Sequence, residues 1–299
     1  MLFIWLTLKL TIVYDNFDGI VKFQYLLLPA SERNEPMNPE ILREVVKTGQ
    51  VYDLGMEYFV GMPHHPNHPP FAFSLTKLHG EMVYEGGLSA SNCLFATGGH
   101  TGTHFDALGH ISVNKEVHGV GDIGPWQEYE GLKKGGIHEA APAVCRGVLL
   151  DIAGLEKKEV LGNDYEIGRN ALERAAEKQG IDIQQGDAVL IRTGWIRYYH
   201  EPVKYVSHHD GCPGLTEEGA RWLVSQGVRY VGADTLALEK TPSSLPVHAI
   251  LLVQNGIHIL EVMYLDDLAA DGVFEFLFVA SPLKIRGGTA SPVRPLAVA

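Results

Sequence analysis

The second half of the chain alternates short apolar runs with amphipathic segments. The runs at 147–152, 188–193 and 228–233 have the length of buried strands. Between them, residues 167–179 and 216–226 repeat their apolar positions at the period of a helix. Strands that alternate with helices are typical of an α/β layered fold, so the pattern predicts that fold class.

The first half of the chain predicts mainly strands. Residues 71–78 and 88–97 alternate apolar and polar positions, and residues 51–54 form a shorter strand-like run. One short helix is predicted ahead of these strands, from Pro39 to about Gly49, because proline favours helix starts and glycine favours helix ends.

The N-terminal residues have a different character. Residues 2–13 are mostly apolar, but Lys9 interrupts them, and the run is shorter than the roughly 20 residues that span a bilayer. Residues 30–39 are polar and contain proline, as linkers do. We therefore predict no membrane span, an N-terminal arm and linker over 1–36, and a single domain over 37–299.

Charge and cysteine content argue against several classes of function. The net charge of -12 opposes binding to nucleic acid, because phosphate affinity comes mainly from clustered Lys and Arg. Cys93, Cys145 and Cys212 include no C-x-x-C pair, so neither a disulfide framework nor a thiolate zinc site is predicted. These features predict a cytoplasmic protein without a nucleic-acid partner.

The candidate chemistry lies in the segment HTGTHFDALGH, which contains His100, His104, Asp106 and His110. On a helix, Asp106 would point about 240° around from His100. On a strand, these two residues would stand about 20 Å apart. Since a metal ion needs its donors within about 2.0 to 2.2 Å, the segment is predicted to be a bent loop. Backbone freedom for such bends would come from Gly98, Gly99, Gly102 and Gly109.

Two imidazoles and a carboxylate form a metal-binding set that suits Zn, Mn, Fe or Co and leaves coordination positions for water. The pKa of such water falls to about 7, which generates a nucleophile at neutral pH. A single histidine would by default be a hydrogen-bonded core or turn residue rather than a metal ligand. Four polar groups this close must satisfy one another if they are buried, which favours a metal site. The residues therefore predict a metal-dependent hydrolase that acts on a small molecule.

The same segment resembles the H-x-G-T-H-x-D-x-x-x-H signature of the cyclase family, which includes bacterial kynurenine formamidases and isatin hydrolases. The resemblance covers nearly everything from Tyr52 to Pro295. Its other segments are YDLGMEYFVGMP (52–63), VLIRTGW (189–195), PGL (213–215), VGADTLALE (231–239), HAILLVQNGIHILE (248–261) and PLKIRGGTASPVRP (282–295).

The resemblance implies a swivelling β/β/α domain and a set of residue roles. His100, His104 and Asp106 would be metal ligands. His110 would be the proton donor or acceptor, a role suited to an imidazole that titrates near pH about 6.5. Family members also form homodimers or larger homo-oligomers, which is the expectation for this chain.

A second metal site is implied by the later His248 and Glu261. In formamidases of the family such a pair completes a second site bridged by the aspartate, whereas isatin hydrolases resemble a single-manganese design. The spacing of His248 and Glu261 is one residue longer than in the formamidase pattern. The number of ions, one or two, and their identity, Mn or Zn, are therefore left open.

The sequence also leaves two classes of substrate open. An open-chain arylformamide and a strained cyclic amide both offer an electrophilic carbonyl attached to nitrogen. The loop GMPHHPNHPPF carries His64, His65 and His68, and its prolines favour an extended loop. We expect these histidines to face solvent or substrate rather than an accessory metal.

Two alternatives belong to other classes of function. A non-haem Fe(II) oxygenase would use His104, Asp106 and His248 as two histidines and a carboxylate. A non-catalytic metal-binding protein would saturate its ion with ligands, and His110 would then only pack against its neighbours.

Overall fold

Residues 45–299 are described by the structure, a computed structural model of the chain. The predicted arm and linker, the domain boundary after residue 36, and most of the predicted helix from Pro39 lie outside these residues. Within the described part, no helix is long and apolar enough to cross a membrane.

The described residues contain short strands and helices. The strands are β1 (Val51–Asp53), β2 (Ala72–Lys77), β3 (Asn92–Ala96), β4 (His104–Asp106), β5 (Glu116–Val117), β6 (Gly121–Asp122), β7 (Gln127–Glu128), β8 (Gly131–Leu132), β9 (Ala143–Asp151), β10 (Glu166–Ile167), β11 (Ala188–Arg192), β12 (Gly214–Leu215), β13 (Tyr230–Ala233), β14 (His258–Glu261), β15 (Glu275–Ala280), β16 (Ala290–Pro292) and β17 (Leu296–Val298). The helices are α1 (Ile152–Leu155), α2 (Arg169–Gln179), α3 (Pro202–Val206), α4 (Glu217–Ser225), α5 (Pro246–His248) and α6 (Asp266–Ala270). A π-helix spans Ala249–Gln254, and 3₁₀ turns span Glu85–Gly87, Leu108–His110, Gly124–Trp126, Ile137–Glu139 and Trp195–Tyr198.

A nine-stranded mixed sheet organises the fold, in the order β1-β17-β15-β9-β11-β13-β14-β4-β16. Its central strands β9, β11, β13 and β14 are parallel, and the outer strands pair antiparallel. Parallel strands are typically covered on both faces, which explains their continuous apolar sequences. The predicted mixed α/β fold is confirmed.

Apolar cores lie on both faces of this sheet. On one face, α2 contributes a stripe that includes the fully buried Leu172. On the other face, β15 buries Phe276 and Phe278. Gly180 ends α2 with φ 68°, and the Thr216 hydroxyl accepts a hydrogen bond from the backbone at the start of α4. The two predicted helices are therefore present, and α2 ends at Gln179 as predicted.

The predicted strands at 71–78 and 88–97 form β2 and β3. Alternating sequences are typical of a half-buried strand, but these two strands pair only with each other, and every residue of both is exposed. The predicted helix at 167–179 also begins two residues late, because Ile167 pairs with β12.

Candidate metal centre

Strand β4 places two of the candidate residues side by side. His104 and Asp106 are two positions apart, so both side chains point to the same face, while Phe105 between them packs into the core. On the neighbouring strand β14, Glu261 pairs directly with His104. Opposite residues of an antiparallel pair lie close together, and the sheet register therefore brings three potential ligands to one point.

The backbone turns sharply on both sides of β4. The segment is bent, as predicted, but it is not a loop throughout: residues 100–110 contain a tight turn, the short strand β4 and a 3₁₀ turn. Gly102 makes the turn with φ 69°, and its carbonyl accepts a hydrogen bond from His104 Nδ1 at 2.8 Å. Gly109 has an ordinary φ, but an added Cβ would lie 2.7 Å from a backbone oxygen. The glycines thus serve close packing as well as turning.

Buried ligand atoms converge around Asp106. Its Oδ1 lies 2.8 Å from His100 Nδ1 and 3.4 Å from His104 Nε2, and His104 Nε2 lies 3.3 Å from Glu261 Oε2. Yet His104 Nε2 and both oxygens of Asp106 have no hydrogen-bond partner among the described residues. Buried polar atoms are rarely left unpaired, so this donor set fits a divalent cation.

The donor atoms fall into two groups that share Asp106. One group contains His100, Asp106 and His110, and the other contains His104, Asp106 and Glu261, with the donor atoms of each within 4.8 Å of one another. The ligands predicted for the first ion, His100 and His104, lie in different groups. His110, predicted as the proton carrier, also lies within reach of an ion.

His248 lies beside these groups, and its imidazole is held by Glu239, a residue that the sequence did not single out. Its Nε2 lies 3.3 Å from Glu261 Oε1, and its Nδ1 donates a hydrogen bond to Glu239 Oε1 at 2.5 Å. Glu239 is buried and also accepts hydrogen bonds from Ser243 Oγ and the Val247 backbone. Its only sequence signal was its place at the end of the segment VGADTLALE.

The segment between His248 and Glu261 contains a π-helix. The chain leaves α5 at His248 and enters the π-helix Ala249–Gln254, whose i→i+5 hydrogen bonds take in one residue more than an α-helical turn. Glu261 then still lies opposite His104. The longer spacing therefore does not separate these side chains.

Val262, next to Glu261, has a strained backbone. Its φ of 58° is unusual for a β-branched residue. Two hydrogen bonds fix this conformation: the Val262 amide donates to Thr235 O at 3.0 Å, and the buried Thr103 hydroxyl donates to Val262 O at 2.6 Å. Strained residues cluster at functional sites, and this one fixes the end of β14 where Glu261 is presented.

The neighbouring carboxylates shift the pKa of two buried histidines upward. Burial lowers the pKa of His104, but Asp106 and Glu261 outweigh it and raise the pKa to about 10. Burial likewise opposes Glu239 and Glu261 at His248, whose pKa also rises to about 10. The carboxylates around both imidazoles thus favour positive charge at this place, as expected at a cation site.

His110 behaves in the opposite way. Burial lowers its pKa to about 3, against the attraction of Asp106. The imidazole is therefore neutral at pH 7, which differs from the expected titration near pH about 6.5. The ring of His110 lies 3.8 Å from that of His100, so its proton chemistry takes place next to the candidate ion.

The histidine-rich loop reaches the edge of the centre. The His68 ring lies 5.0 Å from the His100 ring, and its Nδ1 donates a weak hydrogen bond to His100 O at 3.4 Å. The His65 ring lies next to His68, tilted by 52° with the ring centroids 5.4 Å apart, and His64 is half-buried nearby in sequence. None of the three joins a metal-ligand group among the described residues.

Comparisons with known proteins agree with these features. A family model described as a putative cyclase matches residues 52–240. The isatin hydrolase of Roseibium aggregatum is 26% identical over 209 residues, which cover 67% of this chain and 72% of that protein. The kynurenine formamidase of Bacillus thuringiensis subsp. konkukian is 27% identical over 252 residues, covering 83% of this chain and 97% of that protein. A crystal structure described as a novel cyclase is 26% identical, with a TM-score of 0.79, and the match covers 88% of this chain and 92% of that one. The chain belongs to the cyclase family.

Proposed function

We propose that this protein is a metal-dependent hydrolase that opens the carbonyl C–N bond of an arylformamide or a cyclic amide. The observation that carries the proposal is Asp106, whose two buried oxygens have no hydrogen-bond partner among the described residues and face histidines on both sides. Relatives named isatin hydrolase and kynurenine formamidase support the reaction type.

The proposed ligand roles are those that the family resemblance implies, with Asp106 shared by both groups of donor atoms. His100, His104 and Asp106 would hold one ion of Mn or Zn. Glu261, which groups with Asp106, and His248, whose Nε2 lies 3.3 Å from Glu261 Oε1, would complete a second position. A divalent ion supplies Lewis acidity, which lowers the pKa of bound water and polarises a carbonyl.

His110 would move the proton in this reaction. Its ring lies 3.8 Å from that of His100, a proposed ligand, so His110 would accept the proton that the attacking water loses. The resulting imidazolium then returns the proton to the departing nitrogen, and the products are a carboxylate and an amine. His65 and His68 would line the substrate entrance.

The oxygenase alternative is less favoured by the geometry. It needs His104, Asp106 and His248 around one ion, but His248 belongs to neither group of donor atoms among the described residues. We further propose a swivelling β/β/α arrangement for a domain over 37–299, an arm over 1–36, and a cytoplasmic homo-oligomer that acts on a small molecule and not on nucleic acid.

Hydrolysis of two substrates tests the proposal. N-formylkynurenine and isatin are offered separately to chelated protein and to protein reloaded with Mn or Zn, and the absorbance is followed. Opening of either substrate by the reloaded protein alone supports the proposal and identifies the substrate type. Failure of metal-containing protein to open either substrate rejects both named substrates.

A further inference from the structure

A row of histidine rings runs from an exposed turn to the metal centre. We call it the histidine row, and its members in order are His209, His208, His65, His68 and His100. The ring centroids of neighbouring members lie 5.2, 6.3, 5.4 and 5.0 Å apart. The first two rings come from a turn after α3, the next two from the histidine-rich loop, and the last from the segment before β4. Three segments that are distant in sequence therefore build one row.

Exposure decreases along the histidine row. His208 and His209 are exposed, and His65 and His68 are half-buried. The His100 side chain is only 9% exposed, and the side chain of Asp106, 2.8 Å from it, is fully buried. A buried metal site needs a path by which the ion arrives. The row leads from solvent to donor atoms that have no solvent contact of their own.

Hydrogen bonds hold the inner end of the row in place. Next to His68, the Pro69 carbonyl accepts hydrogen bonds from the Thr101 hydroxyl at 2.9 Å and from the Gly98 amide at 3.3 Å. These two bonds attach the histidine-rich loop to the residues on either side of His100. The fold itself therefore keeps the rings of His68 and His100 next to each other.

The spacing of the rings suits the transfer of a metal ion between neighbours. An imidazole nitrogen binds Zn at about 2.0–2.1 Å, so two rings that share one tetrahedral ion have centroids about 5 Å apart. The longest step, 6.3 Å, involves the exposed His208, whose side chain can change rotamer rapidly. Burial and the nearby His208 lower the pKa of His65, so this imidazole is neutral at pH 7, as a metal ligand must be.

We propose that the histidine row is a loading path that captures a divalent transition metal ion at the surface and passes it to the metal centre. This role rests on the metal-dependent function proposed above. His65, His68 and His208 belong to no ligand group among the described residues, which fits transient contact with an ion rather than a resident one. The net charge of -12 also favours the approach of cations from solvent.

The rates of metal uptake and release by the full-length chain test the path. In the double variant His65→Asn/His208→Asn, uptake of Zn by chelated protein should slow about tenfold, the low end of the factor by which a focusing cleft raises on-rates. Release to excess chelator should slow by the same factor, because a path serves both directions and leaves the equilibrium affinity unchanged. Stopped-flow with a metallochromic indicator measures both rates. The matched control His79→Asn/His200→Asn changes two exposed histidines outside the row and should keep the wild-type rates.

A comparison of two metals separates ligation along the row from a general change in structure. Imidazole suits Zn, whereas Mn prefers carboxylate and water, so the double variant should slow Zn uptake more than Mn uptake. Equal slowing for both metals overturns the proposal. Unchanged rates overturn it as well, and so does weaker affinity with faster release, which is the behaviour of resident ligands. In these three cases a wild type that binds metal leaves the hydrolase proposal intact, whereas a wild type that binds none refutes both.

Discussion

Asp106 is the residue on which both groups of ligand atoms depend. Its pKa lies well below the ordinary value because, although burial raises it, His110, His100 and His104 outweigh that effect. A carboxylate held ionised without hydrogen bonds needs positive charge nearby. At this scale, the central question is which neighbour binds the ion and which one moves the proton.

His110→Ala separates those two roles. Without the proton acceptor, kcat should fall by about 10² to 10⁴, the usual contribution of general acid–base catalysis, while the metal content stays at the wild-type level. Steady-state kinetics measures kcat, and elemental analysis measures the metal content. The control is His79→Ala, which changes an exposed histidine. Loss of metal from His110→Ala would instead make His110 a ligand.

Metal binding should release protons. Because the pKa values of His104 and His248 are raised to about 10, both imidazoles are protonated at pH 7 before an ion binds. Each must lose its proton to become a ligand, so affinity should increase as the pH rises toward 10. Calorimetric titration in buffers of different ionisation enthalpy measures the released protons. A binding enthalpy that is the same in all buffers, with affinity constant between pH 6 and 8, would contradict this prediction.

Glu239→Gln tests whether Glu239 orients His248. The amide keeps the shape but loses the charge that fixes the imidazole through its 2.5 Å hydrogen bond. Metal affinity should fall by about 10- to 100-fold, as is usual for the hydrogen-bond partner of a ligand. Competition with a chromogenic chelator measures the affinity, with the exposed Glu217→Gln as the control. Equal affinities for the variant and the wild type would assign Glu239 a purely structural role.

Strands β4 and β14 form the central element of the site, because their register sets His104 against Glu261. The hydrogen bond from Thr103 to Val262 connects the two strands at the strained position. The Thr103 hydroxyl also accepts the Met56 amide at 2.8 Å, which attaches a third segment. Strain at Val262 is thus held by contacts from outside its own strand.

Thr103→Val should loosen this element. The substitution keeps the side-chain shape but leaves one buried and one partly buried backbone group without their partner, and the free energy of unfolding should fall by about 1–3 kcal/mol. Metal affinity should fall as well, because Glu261 precedes the released residue. Denaturant unfolding and chelator competition measure the two effects. Thr103→Ser keeps the hydroxyl and should restore both, and a Ser variant as weak as the Val variant would refute the role of this bond.

The sequence was most informative where chemistry is concentrated in a short segment. His100, His104 and Asp106 stood out because no regular element could gather them. Glu239 and Val262 gave no comparable signal, since their roles depend on contacts between distant segments. Local spacing identified the candidate ligands, and tertiary contacts determined how they are supported.

At the scale of the whole molecule, periodicity predicted the α/β fold better than it predicted burial. The alternation in β2 and β3 resembles that of a half-buried strand, but the two strands form a separate two-stranded sheet, and all their residues are exposed. A sequence pattern identifies an apolar face without showing whether the rest of the chain buries it.

The metal content of the Asp106→Asn variant is the most direct test of whether this protein binds a metal ion through Asp106. Asparagine preserves the shape of the side chain but removes the charge shared by both groups of ligand atoms. We expect one or two equivalents of a divalent transition metal in the purified wild type, and almost none in a folded Asp106→Asn protein. A wild type that takes up no metal from Mn or Zn solutions, or an Asp106→Asn protein that retains the full amount, would contradict the account.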